Sequence, residues 1–495
     1  MKKLTLTRKQ ILRAIALAAV ALYFAAAQQA RAQIVVAGDG HGNINISGTA
    51  TLGPGSFSGY YYNATTTPPL SQGGTVTLVN GTQLSEIVNN SPNLGQQLIL
   101  LQTGVGATVT NNGSLSLQGN GAASTLHGTV LLNGIGNGSG GNTDATVNNN
   151  GSIGVTLIPN NVVTFERSVG IRENQSGSGN ITIHNTGTIS ASGSSTGSGY
   201  AINQAIRAQA NSGNVIVTNT NTITDSATDR SAGYVIATAI VAESSTGNAT
   251  VTNSGSITAH TTAGGTVGTS NSSVSGVYAL GKTVSVTNSQ GGTISAAASI
   301  SGSASSAYSF GIRATSTTTV PVQVNNYGSV SAAGSSYNYG IYLGTSGSVY
   351  NTGSVTSRDA AIFVPSGSEV TLAKYSSISG LIGGGDSAAS TSTLNFTLDV
   401  PSDIFAATVA SLNSQISEYN VSYEAADGVG NVEQDFLIDS STFDVANFKT
   451  ILNNLVEVSS PPLNVPEPST WAMLLGSLGV LAFWRRRAAR VPSQS

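Results

Sequence analysis

The chain contains no cysteine, and this absence excludes disulfide bonds, thiolate metal ligands and cysteine nucleophiles. Charged residues are also scarce, at 8% of the sequence against roughly 25% in an average globular protein. The formal net charge is -3, so no broad basic surface follows a phosphate backbone and nucleic acid is not an expected partner. Stability must therefore come from a large core or a long hydrogen-bonded stack.

Catalytic and metal-binding patterns are also missing. The four histidines have no metal-ligand spacing. The acids of the central region are scattered, and the densest charged group is Glu166-Arg167 with Arg172-Glu173. A glycosidase or lyase needs paired carboxylates on neighbouring strands, and no Asp-Asp or Asp-x-Asp pair occurs among these acids. We predict no catalytic residues, no metal and no cofactor, and thus a non-enzymatic protein.

Residues 1–32 have the features of a cleavable secretory signal peptide. Basic residues precede an apolar run, which ends before Ala30-Arg31-Ala32. The small residues Ala30 and Ala32 form the predicted signal peptidase site, and the Sec translocon is the expected export partner. The alternative is an uncleaved N-terminal anchor.

A unit with the pattern V-x-N-x-G-x-I recurs between residues 101 and 385. Its asparagines are Asn111, Asn149, Asn185, Asn219, Asn253, Asn288, Asn326 and Asn351. A worn copy follows at Leu372, Lys374, Ser376 and Ile378. A second element, a small residue followed by an apolar one, precedes the unit, as in Gly170-Ile171 and Ala205-Ile206.

This spacing predicts a mainly β fold, a right-handed parallel β-helix over residues 101–385. Alternate Val and Ile point to one side of an extended chain, while Asn and Gly allow the chain to turn a corner. Because one coil cannot bury its narrow apolar face, coils stack about 4.8 Å apart and the Asn side chains can bond each other. Disorder and a β-sandwich array are the alternatives, and the β-branched periodicity and the unequal loops at one corner disfavour them.

The regions on either side of the repeats are predicted to be caps. Residues 33–100 read as an N-terminal β cap of short strands, and residues 386–464 as a small α/β C-terminal cap with a linker. Helices laid across the last coil would protect its exposed strand edge.

The C-terminal cap has its own pattern. Apolar residues alternate from Leu394 to Val400, which predicts a strand, and a later strand is expected near Phe436. Helical spacing after Ser402 and after Asp444 predicts two helices with these residues as N-caps.

One column of the repeat always carries a hydroxyl. Its members are Ser114, Ser152, Thr188, Thr222, Ser256, Thr293, Ser329 and Ser354. Such residues suit a solvated strand, and they could also form a ladder that binds polysaccharide or ice. We favour the first account, because the nearby outward positions vary from Thr110 to His184 to Tyr350.

The stretch 465–490 has three parts in a fixed order. Pro466, Glu467 and Pro468 precede an apolar run from Trp471 to Trp484, and the cluster Arg485, Arg486 and Arg487 follows it. As a helix this run would be about 21 Å long, short of the roughly 30 Å hydrocarbon core. It is predicted to be a marginal membrane span whose arginines stay cytoplasmic and set its topology.

This stretch resembles the PEP-CTERM sorting signal, also labelled the ice-binding protein C-terminal domain, and the repeats resemble autotransporter passenger solenoids. The resemblance implies a Gram-negative bacterium that makes exopolysaccharide and an inner-membrane exosortase that recognises Pro466, Glu467 and Pro468. It implies a transient inner-membrane anchor with the body in the periplasm, and then a protein at the cell surface or secreted.

We therefore expect an exported structural or adhesive protein of the cell surface or the exopolysaccharide matrix. Its expected partners are the exosortase and exopolysaccharide. The alternatives are a polysaccharide-active lyase or hydrolase, an ice-binding protein on the same route, and a permanent anchor without processing.

Overall fold

The computed structural model describes residues 33–38, 44–52, 60–63, 74–89, 94–102, 107–120, 129–137, 142–158, 165–195, 200–229, 234–265, 271–302, 306–334, 336–365, 367–372, 376–383, 391–399, 421–425 and 431–439. Within these ranges the chain forms strands and turns, with no helix. The mainly β prediction is confirmed. The predicted signal peptide, cap helices and membrane helix lie outside these ranges.

The strands are short and follow one another closely along the chain. The first twelve are β1 (Gln33–Gly38), β2 (Ile44–Leu52), β3 (Tyr60–Asn63), β4 (Gly74–Leu78), β5 (Gln83–Asn89), β6 (Leu94–Gln102), β7 (Ala107–Asn111), β8 (Ser114–Asn120), β9 (Thr129–Asn137), β10 (Ala145–Asn149), β11 (Ser152–Ile158) and β12 (Phe165–Gln175). The next twelve are β13 (Ile181–Asn185), β14 (Thr188–Ser195), β15 (Tyr200–Ala210), β16 (Val215–Asn219), β17 (Thr222–Asp229), β18 (Tyr234–Ser244), β19 (Ala249–Asn253), β20 (Ser256–Gly265), β21 (Asn271–Gly281), β22 (Val284–Asn288), β23 (Thr293–Gly302) and β24 (Ser306–Ser316). The last are β25 (Val322–Asn326), β26 (Ser329–Gly334), β27 (Tyr337–Leu343), β28 (Gly347–Asn351), β29 (Ser354–Phe363), β30 (Glu369–Leu372), β31 (Ser377–Gly383), β32 (Thr391–Asp399), β33 (Val421–Ala425) and β34 (Asn431–Asp439).

These strands stack in parallel into three ladders, and each coil adds one strand to each ladder. Ladder A contains β4, β7, β10, β13, β16, β19, β22, β25, β28, β30 and β32. Ladder B contains β5, β8, β11, β14, β17, β20, β23, β26, β29 and β31. Ladder C contains β3, β6, β9, β12, β15, β18, β21, β24, β27 and the second half of β29. The predicted parallel β-solenoid is confirmed, and its right-handed sense stays a prediction.

The repeat unit sets the register between coils. Its first apolar position aligns along ladder A, so Val147 lies beside Val109 and Ile183. Its last apolar position aligns along ladder B, so Ile153 lies beside Leu115 and Ile189. One unit therefore supplies one strand of ladder A, a corner, and the start of one strand of ladder B.

The worn copy of the unit has a different register from the predicted one. Val370, not Leu372, lies beside Val349, while Leu372 lies beside Asn351 and ends the asparagine column. Ile378 lies beside Val355, as the unit requires. The predicted strand of ladder A is two residues too late, because the corner of this copy is longer.

Parallel pairing also reaches further toward the N-terminus than the repeat unit does. Strands β4, β5 and β6, which begin in the region predicted as a cap, pair in parallel with β7, β8 and β9 of the repeats. Strand β2 begins both ladders A and B, since Ile44 lies beside Val76 and Thr49 beside Gln83. The V-x-N-x-G-x-I motif is thus sufficient but not necessary for a coil.

Antiparallel strands cover both ends of the described sheet. Strand β1 pairs antiparallel with β2, while β34 pairs antiparallel with β32 and β33 with β34. The strands predicted from Leu394 and near Phe436 correspond to β32 and β34, and the small α/β cap as a whole stays a prediction. An antiparallel neighbour occupies the edge that another chain could otherwise extend.

The core is a continuous column of small and β-branched side chains. Ladder A contributes mainly Val and Ile, with Ala145 and Ala249 at two inward positions, and ladder B contributes Ile, Val, Leu and Ala. Most of these side chains are fully buried. Close stacking of each side chain on its copy in the next coil lets a narrow cross-section exclude water.

An asparagine ladder runs up the corner between ladders A and B. Each amide donates from Nδ2 to Oδ1 of the next asparagine, at 2.7 to 2.9 Å, from Asn111 through to Asn351. All of these side chains are fully buried. Four of them also donate to a backbone carbonyl of their own corner, as Asn253 Nδ2 does to Gly255 O at 3.1 Å. The predicted bonding between corner asparagines is confirmed.

The glycine at Gly187 allows a close approach of two coils at the corner. A Cβ built on Gly187 would lie 1.9 Å from the carbonyl oxygen of Gly151 in the preceding coil. The backbone N–H of Gly187 also donates to Asn149 O at 2.9 Å. A side chain at this corner would push the two coils apart and break that bond.

We expect Asn149→Ala to lower the free energy of unfolding by about 2–4 kcal/mol, because Asn111 Nδ2 loses its acceptor and Asn185 Oδ1 loses its donor inside the core. Chemical denaturation followed by circular dichroism measures this change. The neighbouring Asn148 points outward and has a weak contact at 3.5 Å, so Asn148→Ala should cost less than about 0.5 kcal/mol. Equal losses in the two variants would contradict a stabilising role of the ladder.

Candidate binding groove and outer faces

The residues predicted to direct export and processing all lie outside the described ranges. They are Ala30 and Ala32 of the signal peptidase site, Pro466, Glu467 and Pro468 of the sorting signal, and Arg485, Arg486 and Arg487 of the basic cluster. Among the described residues there is no helix long and apolar enough to span a membrane. The candidate binding sites therefore lie on the surface of the solenoid.

The predicted hydroxyl column lies on the outer face of ladder B. Neighbouring members bond each other, as Ser152 Oγ does to Ser114 Oγ at 2.9 Å and Thr293 Oγ1 to Ser256 Oγ at 3.1 Å. A hydroxyl that bonds its neighbour along the column is partly satisfied within the protein. This agrees with the account of a solvated strand.

The variation among nearby outward positions, however, is a wrong argument for that account. Thr110, His184 and Tyr350 lie on ladder A, around the corner from the hydroxyl column. The true neighbours on ladder B are two residues further along each strand and form a second column that is nearly all hydroxyl. They are Ser116, Gly154, Ser190, Thr224, Thr258, Ser295, Ser331, Thr356 and Ser379. Ladder B thus presents a continuous Ser/Thr face.

Ladder C differs because each strand bends at the small-apolar pair. Consecutive residues Gly170 and Ile171 are both buried, which interrupts the alternation of inward and outward side chains. A Cβ on Gly170 would lie 2.6 Å from both Ala205 O and Ile189 Cγ2, so only a small residue allows the bend to pack on the core. The next coil has Ala205 in the same place.

The bend creates a groove on the outer side of the solenoid. The residue before the pair and the residue after it face each other across the bend, so Arg207 Nη1 donates to Gln204 Oε1 at 3.0 Å. In the same way the rings of Tyr339 and Tyr342 lie 5.3 Å apart. Val169, for example, is fully buried yet does not belong to the continuous core.

We call this feature the outer groove and define it by two columns. The floor column is Val169, Gln204, Thr238, Ser275, Phe310 and Tyr339. The wall column is Arg172, Arg207, Val241, Tyr278, Arg313, Tyr342 and Phe363. The groove runs along the solenoid, at right angles to the strands.

The N-terminal part of the outer groove concentrates positive charge. Burial, together with the positive charges of Arg207 and Arg172, lowers the pKa of Arg167 to about 10, against an opposing effect of Glu243. Burial also lowers the pKa of Arg207, whose guanidinium donates to Gln209 Oε1 at 2.9 and 2.6 Å. Gln209 in turn donates to Glu243. The Glu243 carboxylate therefore acts on both Arg167 and Arg207.

The C-terminal part of the outer groove concentrates aromatic rings. Arg313 lies between them, with its Cζ 5.3 Å from the ring centroid of Tyr278, 5.2 Å from Phe310 and 6.0 Å from Tyr342. Tyr342 stacks on Phe363 with centroids 5.1 Å apart. Aromatic residues make up 6% of the chain, so this concentration is a local feature.

The rim of the outer groove is also aromatic in this part. Tyr308 and Tyr337 stack at 5.0 Å with an interplanar angle of 15°. Their exposed fractions are 38% and 49%. These rings offer flat apolar surface to solvent.

The sequence marks where the groove lies, but residue spacing alone does not show that a groove forms there. The small-apolar pair is recognisable as a repeat element, but the residues on either side of it become neighbours only when the strand bends. The charged group Glu166-Arg167 with Arg172-Glu173 is divided by the fold. Arg167 and Arg172 belong to the groove side, whereas Glu173 is buried.

Two acids of the solenoid, Asp144 and Asp359, are held by hydrogen bonds or an ion pair within the protein. Asp144 accepts hydrogen bonds from the backbone N–H of Asn180 at 2.8 Å and from its Nδ2 at 2.9 Å. Asp359 forms an ion pair with Arg358 at 3.0 Å and accepts from Asn338. The described part of the chain holds no group of three or more His, Asp or Glu residues that could bind a metal ion.

Asp225 is an acid inside the apolar core. It lies between Ala191 and Ala259 of the adjacent coils and is fully buried. Burial raises the pKa of Asp225 well above its ordinary value, and backbone N–H groups of Thr238 and Ser226 oppose this effect. The folded chain therefore favours the protonated carboxyl.

We expect this carboxyl to make stability depend on pH. Because the folded pKa lies above the unfolded value of about 4, the stabilisation is complete below about pH 4 and is lost as the pH rises toward the folded pKa. Asp225→Ala, which matches Ala191 and Ala259, should unfold at a higher temperature at pH 7 and lose this slope. Asp225→Asn should also lose the slope while it remains polar. Thermal unfolding between pH 4 and 8 tests this, and an unchanged slope in both variants would refute it.

Comparison with known proteins adds information on the tail. Residues 464–487 match the family model described as the PEP-CTERM protein-sorting motif. No curated protein and no solved structure matches the chain. The motif implies export, processing by an exosortase and sorting to the cell envelope. The chain thus carries a PEP-CTERM protein-sorting motif, as its resemblance to that signal predicts, and this motif follows a parallel β-solenoid.

Proposed function

We propose that the protein is a non-enzymatic structural or adhesive component of the cell surface or the exopolysaccharide matrix of a Gram-negative bacterium. The observation that carries the proposal is the PEP-CTERM motif at residues 464–487. The parallel β-solenoid supports it, because stacked coils make a long body with repeated outer surfaces.

The proposed route begins with the signal peptide. The Sec translocon exports the chain, and signal peptidase cuts after Ala32. The apolar run Trp471 to Trp484 then holds the protein in the inner membrane, with the arginines after it in the cytoplasm and the solenoid in the periplasm. Exosortase cuts near Pro466, Glu467 and Pro468, and the body passes to the surface or the medium.

An adhesive role suits the repeated faces of the solenoid. Ladder B presents Ser and Thr on successive coils, and ladder C presents the outer groove. Weak contacts that recur on every coil add up, because each contact holds the ligand close to the next one. A polymer with its own repeat gains most from such an arrangement.

The contacts of the acidic side chains also favour a structural role over polysaccharide cleavage. Asp144 and Asp359 accept hydrogen bonds or ion pairs within the solenoid, and Asp225 is buried in the core. A hydrolase would hold two carboxylates on opposite sides of the bond to be cut. A polysaccharide-active enzyme and an ice-binding protein that uses the hydroxyl face of ladder B are the alternative functions.

The sorting step is tested by replacing Pro466, Glu467 and Pro468 with Ala. We expect full-length protein to accumulate in the inner membrane, because the processing enzyme loses its recognition segment. Membrane fractionation and the intact mass of the released protein give the measurement. Pro461→Ala with Pro462→Ala, which alters the adjacent linker, is the matched control and should be released normally. Unchanged release of the first variant would rule the route out.

The non-enzymatic role is tested by incubating the purified protein with the exopolysaccharide of the producing cell. We expect the viscosity of the polymer and the number of its sugar ends to stay constant over hours, while the polymer co-sediments with the protein. A fall in viscosity or a rise in sugar ends would show that the protein is an enzyme instead.

A further inference from the structure

We infer that the outer groove of ladder C binds an acidic polysaccharide in an extended conformation, with arginines on its carboxylates and aromatic rings against its sugar faces. The inference rests on the proposed function, since it supplies a ligand class for the exported solenoid. It also assigns that ligand to one face of the molecule.

The wall column provides guanidinium donors that the fold leaves unused. Arg172 and Arg313 are half-buried, and neither guanidinium donates a hydrogen bond to any residue that the structure describes. Arg207 lies beside Arg172 in register. A guanidinium presents a planar fork of donors that matches the two oxygens of a carboxylate. These arginines therefore suit the carboxylates of uronic acids.

The groove is positive although the protein is acidic overall. Burial and the positive charges of Arg207 and Arg172 lower the pKa of Arg167, and burial and the charge of Arg172 lower the pKa of Arg207, while the charge of Glu243 opposes both effects. Glu173 is 1% exposed, so it does not reach the groove surface. The net charge of the whole chain is -3, which makes this cluster a local exception. An anionic ligand would relieve the repulsion between the arginines.

The aromatic part of the groove suits the other side of a sugar. Tyr278 and Tyr342 flank Arg313 in the wall column, and Tyr308 and Tyr337 present stacked, exposed rings at the rim. The C–H groups on one face of a pyranose are apolar and slightly positive, so they pack on the negative face of an aromatic ring. Charged contacts at the N-terminal part of the groove and mainly aromatic contacts at its C-terminal part thus lie along one line.

The length of the groove favours a polymer over a small anion. The wall column crosses strands β12, β15, β18, β21, β24, β27 and β29, which is six steps. At a spacing of about 4.8 Å between strands the column is about 29 Å long. An extended chain of several sugars fits this straight path.

Single-stranded nucleic acid is the rival ligand, because it also binds basic grooves lined by aromatic rings. One observation favours the polysaccharide. The PEP-CTERM motif implies sorting to the cell envelope, where polysaccharide is abundant.

The test measures binding of the purified full-length protein to three probes by biolayer interferometry. They are polygalacturonate, its methyl ester, which has the same backbone without charge, and poly(dT). We expect polygalacturonate to bind, with an affinity that falls as NaCl rises. The methyl ester should bind at least about tenfold more weakly, because it cannot form charge-assisted bonds with the arginines.

Groove variants locate the site. Arg172→Gln and Arg313→Gln should each weaken polygalacturonate binding about tenfold. The control Lys282→Gln removes the same charge from an exposed turn and should bind like the parent protein. Arg313→Lys, which keeps the charge but not the fork, should fall between the parent and Arg313→Gln.

An aromatic pair completes the design. Tyr342→Ser should weaken binding of both the acid and the methyl ester, whereas Tyr350→Ser, on the outer face of ladder A, should change neither. Circular dichroism and thermal unfolding of every variant confirm that it is folded before binding is compared.

Three results would overturn the inference. They are equal binding of polygalacturonate and its ester, equal effects of groove and control variants, and tighter binding of poly(dT) at the same salt concentration. Fractionation of the cells separates this outcome from a failure of the proposed function. A groove that does not bind leaves sorting to the envelope intact, and a sorting motif that is not processed leaves binding by the purified protein intact.

Discussion

The hydrogen-bonded stack of buried asparagines is the interaction on which the rest of the solenoid depends. Each amide joins two coils, and several, such as Asn253, also hold the corner of their own coil through backbone carbonyl groups. A buried amide without a partner is costly, so a slip of one coil by one residue would impose that cost on the amide of that coil and on its neighbours in the two adjacent coils. The ladder therefore sets the register, and the apolar column then follows it. In a chain without cysteine, this stack takes the place of covalent cross-links.

A register fixed from inside leaves the outer faces free to differ. Ladder B uses that freedom for rows of Ser and Thr, and ladder C for a line that changes from arginine to aromatic along the solenoid. The bend at each small-apolar pair gives ladder C a concave outer side, whereas ladder B stays flat. Charged residues are scarce in the chain as a whole, so the cluster of Arg167, Arg172 and Arg207 is a distinctive feature for a ligand to recognise.

The periodic part of this fold could be predicted because its signal repeats. Val, Asn, Gly and Ile at fixed spacing indicate a strand, a corner and a second strand, and the asparagine bonding follows from identical residues in register. The outer groove could not be predicted, since Gln204 and Arg207 become neighbours only through the bend. The second hydroxyl column is also missed, because the sequence does not show which outward positions share a face. Thr110 is close to Ser114 in the chain, but the corner places it on ladder A. The longer corner after Leu372 contains no Asn or Gly of the unit that would reveal it.

The direction of the backbone hydrogen bonds has a mechanical consequence. In all three ladders these bonds run from coil to coil, along the solenoid, while the chain itself winds around it. A pull on the two ends of the stack therefore loads the coils in series and detaches the terminal one first. A coil of about 35 residues released in this way extends by up to about 120 Å. A tether of this kind lengthens in steps under load, while the remaining coils stay hydrogen-bonded to one another.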